Sequence, residues 1–598
     1  MRIFIFFLVV SLYSFSQTTV EKVNDTWQMM VNGVPYNIKG ATFGFDKDTA
    51  NYDTYFKDLK FLGVNTIRTW ATGDNTPALL DAAQRHDIKV MMGIWMRHGR
   101  PGMEDDDSFD YLTDKEGMEA MYNGAVNTVE TYKNHPAVLT WGIGNEVYLN
   151  MATDEEKLAY SKLLERICAQ IKTLDHNHPI TSVEAWTFGL DWWEEYVPSL
   201  DIYGLNSYGR GAGFLQGELN KRSIDKPYIL TEFGVTGEWD VQDDSNGVKQ
   251  EPTDQEKYNA IVKGYREWIQ PKPSCLGVYV FHYNSGNTFG DLWLATHVNN
   301  NYRPQYWAIR EAYTSATPVN HVPKITDFKL LETSNKSGVW IPVNIAVSDL
   351  ENDSLSVSFQ YNQREGSRRR RDKIKPLNYR GNLNDGFEIE LPKENGPIKV
   401  YVFVKDSYNN LGIAHSSLMV EDEDEAKKRF KVPKVELPFY VYKDNVDLPY
   451  FASGYMGNYK ALSVNLNETK VVHSGKTAIK ITYSERSGWY GLAFMDPAND
   501  WGEILGGYDI SGAKTFSFWA KSKFSGVTMS IGYGLIDADK LFPDSSKKAK
   551  EIKLTSYWKK YTIKLKNADM SCIRSGLVFF VNANGYPQTI YIDDVVFE

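Results

Sequence analysis

The sequence predicts an α/β protein in which a (β/α)8 TIM barrel over residues 24–313 precedes an immunoglobulin-like β-sandwich over 324–420 and a β jelly roll over 435–598. Three observations support this architecture. The 598 residues exceed what one hydrophobic core supports. Strand patterns alternate with amphipathic segments in the first half of the chain. After the proline-containing linker 314–323, strand patterns occur alone, which is typical of all-β domains.

The barrel is predicted from eight short apolar runs, most of them followed by a segment with helical periodicity. The fifth and sixth helical segments are the least distinct. A hairpin at 27–38, turning at Asn32-Gly33, is expected to close the barrel floor. The predicted strands are 36–42, 64–69, 88–94, 137–144, 179–183, 201–206, 227–231 and 277–281, and the clear helices are 55–62, 77–85, 115–132, 154–174, 253–269 and 304–313.

The N-terminus and the charge balance limit the location and the partners. A positive Arg2, an apolar stretch at 3–12 and small residues at 14–16 predict a signal peptide over 1–16, so we expect an exported protein, periplasmic or extracellular. No later segment has the roughly 20 apolar residues that a membrane span needs. The formal net charge of −10 disfavours a general nucleic-acid binder. The sequence leaves the oligomeric state open.

Two glutamates, Glu146 and Glu232, follow the predicted fourth and seventh strands directly. The carboxyl ends of barrel strands meet at one rim, so these side chains are expected to face one cleft. Two carboxyl groups about 5 Å apart are what a retaining glycosidase requires. A single glutamate at a strand end is more simply a helix cap or an ion-pair partner. Glu184, after the fifth strand, is therefore predicted to be solvated and not catalytic.

Other polar and aromatic residues follow the strands at the same rim. We expect Arg68 and Tyr208 to hold Glu232 as the ionised nucleophile, and Asn145 to contact the sugar 2-hydroxyl group. Glu146 would be the general acid and base, with a pKa raised by the charge of Glu232. The predicted substrate-binding set is Arg68, Trp70, Trp95, His98, Asn145, Tyr208, His282 and Trp293.

The motifs around these glutamates resemble a known group of enzymes. Gly144-Asn145-Glu146 and Thr231-Glu232-Phe233-Gly234 resemble clan A glycoside hydrolases, and 63–68, 178–182 and 303–307 resemble the family 2 type of catalytic barrel. The resemblance implies double displacement with Glu146 as acid/base and Glu232 as nucleophile, without a metal or cofactor for catalysis. The tryptophan usual after the eighth strand is replaced by Phe281-His282-Tyr283, so Trp293 or Trp70 is expected to take its place.

The C-terminal region resembles jelly-roll carbohydrate-binding modules in the stretches 473–481, 516–520 and 590–595. Its sugar-stacking residues are predicted to be Trp489, Tyr490 and Trp501, whereas Trp519, in mid-strand, is predicted to lie in the core. A structural calcium is a further possibility that this resemblance raises, with Asp593 and Asp594 as candidate ligands.

The leading functional hypothesis is a secreted retaining β-glycosidase that acts on a polysaccharide. The appended module favours a polymer, because tethering raises the effective concentration on an extended ligand. Short barrels of this clan often act on β-glucans, so a β-1,3-glucan is favoured by analogy. A transglycosylase with the same first step is one alternative, and a non-catalytic glycan-binding surface protein is another. The sugar, the linkage and endo or exo action stay open.

Overall fold

The computed structural model describes residues 17–99, 109–151, 153–363, 373–422, 432–445 and 448–598. The predicted signal peptide, residues 1–16, lies outside this part of the chain. Among the described residues, no helix combines the length and the apolar character that crossing a bilayer would need.

A small antiparallel sheet lies under the barrel. Its strands are β1 (Thr18–Val23), β2 (Thr26–Val31) and β3 (Val34–Tyr36). Asn32 and Gly33 both have positive φ, as the tight turn between β2 and β3 requires. Met29 of β2 packs against Ile38, Leu139 and other residues at the lower ends of the barrel strands. The predicted hairpin therefore does close the barrel floor.

The eight parallel strands close into one barrel, as predicted. They are β4 (Ile38–Phe43), β5 (Thr66–Arg68), β6 (Lys89–Ile94), β7 (Val138–Ile143), β8 (Ile180–Ala185), β9 (Ile202–Asn206), β10 (Tyr228–Phe233) and β11 (Cys275–Tyr283).

Helices surround the barrel and bury their apolar faces against it. Two of them, α5 and α6, have only seven residues each, which explains their weak sequence pattern. The helices are α1 (Tyr52–Phe61), α2 (Thr76–Arg85), α3 (Lys115–Tyr132), α4 (Asp154–Leu174), α5 (Leu190–Tyr196), α6 (Leu215–Lys221), α7 (Asp254–Lys263), α8 (Phe289–Leu294) and α9 (Pro304–Thr314).

The connection from β11 to α9 contains α8 and a small sheet that the sequence pattern did not predict. This sheet consists of β12 (Ser285–Gly286), β13 (His297–Val298) and β14 (Asn301–Tyr302). Two-residue strands are too short to produce a period-2 hydrophobic pattern.

The middle region forms two four-stranded antiparallel sheets, with strand orders β15-β16-β20-β19 and β18-β17-β21-β22. The core lies between them and contains Ile341, Phe359 and Val400. The strands are β15 (Lys324–Leu330), β16 (Trp340–Ser348), β17 (Ser356–Asn362), β18 (Lys375–Pro376), β19 (Tyr379–Asn382), β20 (Gly386–Glu390), β21 (Gly396–Lys405) and β22 (Leu411–Val420).

The C-terminal region packs a six-stranded sheet on a five-stranded one, as expected for a β-sandwich. The strands are β23 (Phe439–Tyr442), β24 (Phe451–Gly457), β25 (Leu462–Glu468), β26 (Ala478–Tyr483), β27 (Trp489–Met495), β28 (Thr515–Ser522), β29 (Thr528–Tyr533), β30 (Lys548–Lys553), β31 (Lys559–Lys564), β32 (Ser575–Asn582) and β33 (Gln588–Phe597).

The middle sandwich packs against the barrel through an apolar cluster that includes Trp293 from α8 and Tyr401 and Phe403 from β21. Trp293 is only 2% exposed, and its Nε1 donates to the Thr236 carbonyl oxygen at 3.0 Å. The prediction that Trp293 stacks on a sugar is therefore wrong. Its ring is buried because α8 folds under the sandwich, a contact that no local sequence pattern specifies.

Candidate active site

Glu232 lies in β10 at the rim and is 6% exposed. Its Oε1 accepts from Arg68 Nη1 at 2.9 Å and from Trp70 Nε1 at 3.2 Å. Its Oε2 accepts from the Tyr208 hydroxyl group at 2.8 Å. Arg68 is itself buried, so this ion pair lies in a poorly solvated environment. The predicted contacts of Arg68 and Tyr208 with Glu232 are present, and these hydrogen bonds fix the orientation of the Glu232 carboxyl group.

Glu146 follows β7 in a sharp turn and is half-buried. Its φ is +53°, and Gly144 just before it has φ +72°. A Cβ at Gly144 would lie 2.6 Å from the Tyr160 hydroxyl group, so this turn needs glycine for its conformation and for the space. The Glu146 amide N–H donates to the Val183 carbonyl oxygen at 3.0 Å, and Asn206 Nδ2 donates to Glu146 Oε1 at 2.8 Å.

One hydrogen-bond network links the two glutamates. Arg68, which binds Glu232, also donates through Nη2 to Asn145 Oδ1 at 2.7 Å. Asn206 Nδ2 lies 3.2 Å from the same oxygen while it binds Glu146. The amide oxygen of Asn145 is thus used by two donors, which leaves its amide NH2 as the group that can contact a substrate hydroxyl. Both carboxyl groups therefore belong to one contiguous polar site.

An aromatic rim borders Glu232. The Phe281 ring lies 6.1 Å from both the Trp70 and the Tyr208 ring, in edge-to-face geometry. Trp239, 42% exposed, lies 5.0 Å from the Tyr208 ring. The His282 ring stacks on Phe281 at 4.3 Å, and its Nε2 lies 3.7 Å from an Asp291 oxygen. Flat rings beside a carboxylate pair are suited to holding a sugar.

His98 and Trp95 occupy the same side of the rim as Asn145. His98 is only 3% exposed, and its Nε2 lies 2.7 Å from the Asn145 carbonyl oxygen. This contact supports the backbone at Asn145, and the predicted contact of His98 with the substrate stays a prediction. The partly exposed Trp95 lies 5.1 Å from the His98 ring, ring centre to ring centre.

Glu184 is fully buried at the end of β8, so the prediction of a solvated side chain is wrong. Burial, together with the negative charge of Glu146, raises the pKa of Glu184 to about 8 although three backbone N–H groups favour its charged form. A third carboxyl group therefore lies behind the acid/base candidate.

Asn206 and Trp239 are site residues that the sequence reasoning missed. Asn206 is the last residue of β9, so its position at a strand end was a usable signal. Trp239 lies in a loop after β10, and its exposure in a non-periodic segment could not be anticipated.

The predicted sugar-stacking residues of the C-terminal module do not share one face. Trp489 is 46% exposed, whereas Tyr490 is fully buried and donates to Gln588 Oε1 at 2.7 Å. The role predicted for Tyr490 is therefore wrong, because successive strand residues point to opposite faces. Trp501 is partly buried in a small apolar cluster. Trp519, expected in the core, instead stacks on the His473 ring at 3.8 Å and is partly exposed.

The proposed calcium ligands of the module bind a neighbouring turn. Asp593 accepts from the backbone N–H groups of His473 and Ser474 at 2.9 and 3.2 Å. Asp594 accepts from the Ser474 hydroxyl group at 2.7 Å and lies 3.0 Å from His473 Nδ1. These protein donors use the carboxylate oxygens, so the donor set does not favour a cation there.

Comparison with known proteins finds similarity in the barrel region. Residues 25–273 match the family model "Glycosyl hydrolases family 2, TIM barrel domain". The β-glucuronidase of Homo sapiens is 28% identical over 191 residues, which cover 30% of this chain and 26% of that protein. The β-glucuronidase of Rattus norvegicus is 24% identical over 295 residues, with coverage of 43% and 41%. Residues 25–273 thus resemble the TIM-barrel domain of glycosyl hydrolase family 2.

These matches cover only part of each relative: the chain spans between about a quarter and two fifths of their length. Among solved structures, the β-glucuronidase of Bacteroides uniformis aligns with 97% of this chain and 67% of that chain, at 14% identity and a TM-score of 0.40.

Proposed function

We propose that this protein is a retaining β-glycosidase with Glu232 as the nucleophile and Glu146 as the general acid and base. The observation that carries the proposal is the network through Arg68, Asn145 and Asn206, which joins the carboxyl groups at the ends of β7 and β10. The family 2 type of the barrel agrees with this assignment.

The reaction has two displacements. In the first, Glu232 attacks the anomeric carbon while the Glu146 carboxyl group protonates the glycosidic oxygen, so the C–O bond breaks and the aglycone leaves as an alcohol. In the second, the Glu146 carboxylate takes a proton from water, which attacks the same carbon and releases Glu232. Two inversions restore the β configuration, and they call for carboxyl groups about 5 Å apart.

The surrounding residues have roles that follow from their contacts. Arg68, Trp70 and Tyr208 hold the Glu232 carboxylate in one orientation, which lowers the cost of reaching the transition state. Asn206 fixes the Glu146 carboxyl group, and the Asn145 amide group is suited to the sugar 2-hydroxyl.

The proposed substrate is a polysaccharide, with a β-glucan favoured and a β-1,3-glucan first among these. The relatives named β-glucuronidase bring a β-glucuronide as a second candidate. A uronate would need a cation in the sugar subsite. Among the described rim residues, the Arg68 guanidinium already binds Glu232 and Asn145, and His282 lies beside Asp291. Neither of these two side chains is therefore available to pair with a uronate carboxylate.

We further propose that the C-terminal module binds the same polymer and that the protein is exported through its 1–16 segment. Trp489 lies 6.3 Å from the ring of Phe580, and Phe580 lines a cavity of about 300 Å³. Ser530, Glu551 and Asn582 line the same cavity with polar groups. An exposed aromatic ring beside polar side chains is suited to one face of a glycan.

The test of the catalytic proposal is a substrate panel with product stereochemistry. Aryl β-glucoside, β-galactoside, β-mannoside and β-glucuronide, together with β-glucan polymers, are incubated with the purified protein, and proton NMR follows the first anomer released. A β anomer supports the proposal, and an α anomer overturns it. Products longer than the substrate would indicate transglycosylation. Inactivity on the whole panel would favour the non-catalytic alternative.

The module has its own test. Trp489→Ala should weaken binding to insoluble β-glucan in a sedimentation assay, while turnover of short oligosaccharides stays unchanged. Tyr408→Ala, at another exposed aromatic residue, in the middle sandwich, serves as the control. Unchanged sedimentation of the Trp489 variant would refute this binding face.

A further inference from the structure

Glu184 is a buried carboxyl group that does not face the cleft. Its hydrogen bonds connect it to the turn that carries Glu146. It is fully buried and is the penultimate residue of strand β8, which neighbours β7 in the barrel. Its hydrogen-bond partners are backbone N–H groups: Tyr148 at 2.7 Å, Ala185 at 2.8 Å and Leu149 at 3.4 Å. Two of these three donors belong to the turn that starts at Glu146.

This turn is attached to β8 at two successive residues. The Glu146 backbone N–H donates to the Val183 carbonyl oxygen at 3.0 Å. The Glu184 side chain accepts from the backbone N–H groups of Tyr148 and Leu149 in the same turn. The Asn150 side chain closes the turn by donating to the Glu146 carbonyl oxygen at 2.9 Å. The positive φ of Glu146 is a conformation that non-glycine residues rarely adopt, so the surroundings must hold it.

We propose that Glu184 is a positioning residue for the acid/base: it holds the 146–150 turn so that the Glu146 carboxyl group points at the glycosidic oxygen. This inference rests on the proposed function. A carboxyl group without a cation partner is costly in a protein interior, where an apolar side chain of the same volume would pack without that cost. The hydrogen bonds from Glu184 to the turn offset this cost of burial.

Electrostatics agree with the geometry. Burial and the Glu146 charge raise the pKa of Glu184 to about 8, so this side chain is mostly neutral at pH 7. A neutral Glu184 accepts the turn's hydrogen bonds without placing a second negative charge behind Glu146. Its role is thus compatible with an acid/base that cycles between protonated and ionised forms.

A purely structural role and a positioning role predict different kinetics. Glu184→Leu removes every acceptor, and Glu184→Gln keeps one carbonyl oxygen and the volume. The values of kcat/KM are measured on a dinitrophenyl glycoside, whose leaving group needs no acid, and on an alkyl glycoside, whose leaving group does. We expect the Leu variant to lose about 10–100-fold on the alkyl glycoside and less than about 3-fold on the dinitrophenyl glycoside, as for a displaced catalytic group. The Gln variant should recover most of the loss.

Asp58→Asn is the control, because Asp58 is another carboxyl group whose pKa burial raises, but it binds Tyr283 and Tyr306 away from the Glu146 turn. Equal losses on both glycosides in the Glu184→Leu variant, or no loss on either, would overturn the inference. If the Leu variant does not fold, Glu184→Met, which also removes both carboxyl oxygens, is measured in its place. Glu146→Ala is measured in parallel. If its loss of kcat/KM is also independent of the leaving group, the proposed function fails. If only the Glu184→Leu loss is independent of the leaving group, the inference alone fails.

Discussion

Two of the buried carboxylate–cation groups in this molecule look alike and differ in what surrounds them. At the rim, Glu232 is 6% exposed and binds Arg68 at 2.9 Å. Between the barrel and the middle sandwich, Glu251 is also 6% exposed and binds Lys257 of α7 at 2.5 Å and Lys399 of β21 at 2.8 Å. Burial and ion pairing therefore do not distinguish a catalytic carboxylate from a structural one.

The difference lies in the partners. Burial alone would raise the pKa of Glu251, but the ammonium groups of Lys257 and Lys399 lower it well below its usual range, so this carboxylate stays charged between two cations. Glu232 shares its single cation with Asn145 and belongs to a network that reaches a second carboxyl group. The ion pair therefore does not identify the site. The features that identify it are the position at a strand end and the presence of a second carboxyl group.

The largest expected effect is on Glu232. Glu232→Ala removes the nucleophile, so kcat should fall by about 10⁴-fold or more. Azide should restore turnover by entering the vacated space, and it should yield the α-glycosyl azide because only one inversion remains. Turnover is followed by liquid chromatography and the azide product by NMR, with circular dichroism as the check on folding. Undiminished turnover would rule out this nucleophile.

Glu146→Ala should be the next largest effect. Loss of the general acid lowers kcat/KM by about 10²–10⁴-fold on alkyl glycosides, whereas activated aryl glycosides leave without protonation. The ratio of the two kcat/KM values measures the effect. An equal loss on both substrates would contradict the acid role.

Glu251→Gln tests the structural role of the carboxylate between the barrel and the middle sandwich. The variant leaves two ammonium groups buried without their carboxylate, which should lower the free energy of unfolding by about 3–5 kcal/mol. Asp243→Asn, which breaks an exposed pair with Lys249, is the matched control and should cost at most about 1 kcal/mol.

Urea denaturation measures both variants, and the folded Glu251→Gln protein should keep its catalytic rate. A loss of kcat comparable to that of the Glu232 variant would show that the two carboxylates do not differ in role.

The last expected effect is a pH dependence of stability at Glu184, which is spread over several pH units. Its pKa is about 8 in the folded protein and 4.5 as the reference value, so its contribution to stability is fully present below pH 4.5 and is lost as the pH rises toward 8. Glu184→Gln lacks this dependence. The unfolding free energy of the variant minus that of the wild type should therefore rise between pH 5 and 8, by at most about 1.4 kcal/mol per pH unit.

The groups that interact with Glu184 electrostatically are Glu146, Tyr148 and Tyr160, and burial raises the pKa of both tyrosines, so neither ionises in this range. Urea denaturation at three pH values provides the measurement. A constant difference between variant and wild type would show that Glu184 is ionised throughout.

The comparison also explains what the sequence could predict. The eight strands, and the contacts of Arg68 and Tyr208 with Glu232, follow from a local rule: residues at the ends of parallel barrel strands share one rim. Trp293, Tyr490 and Glu184 were misplaced for non-local reasons. Trp293 is buried because a second domain packs on it. The burial of Tyr490 depends on the register of its strand. Glu184 is buried because a turn after the neighbouring strand covers it.

Covalent labelling tests the central assignment most directly. A 2-deoxy-2-fluoro β-glycoside with an activated leaving group, built on the sugar that the substrate panel identifies, should slow the second displacement and trap the glycosyl-enzyme. Peptide mass spectrometry is then expected to find one added fluorosugar on Glu232, with labelling abolished in Glu232→Ala. A label on another residue, or complete turnover without any trapped adduct, would contradict the assignment.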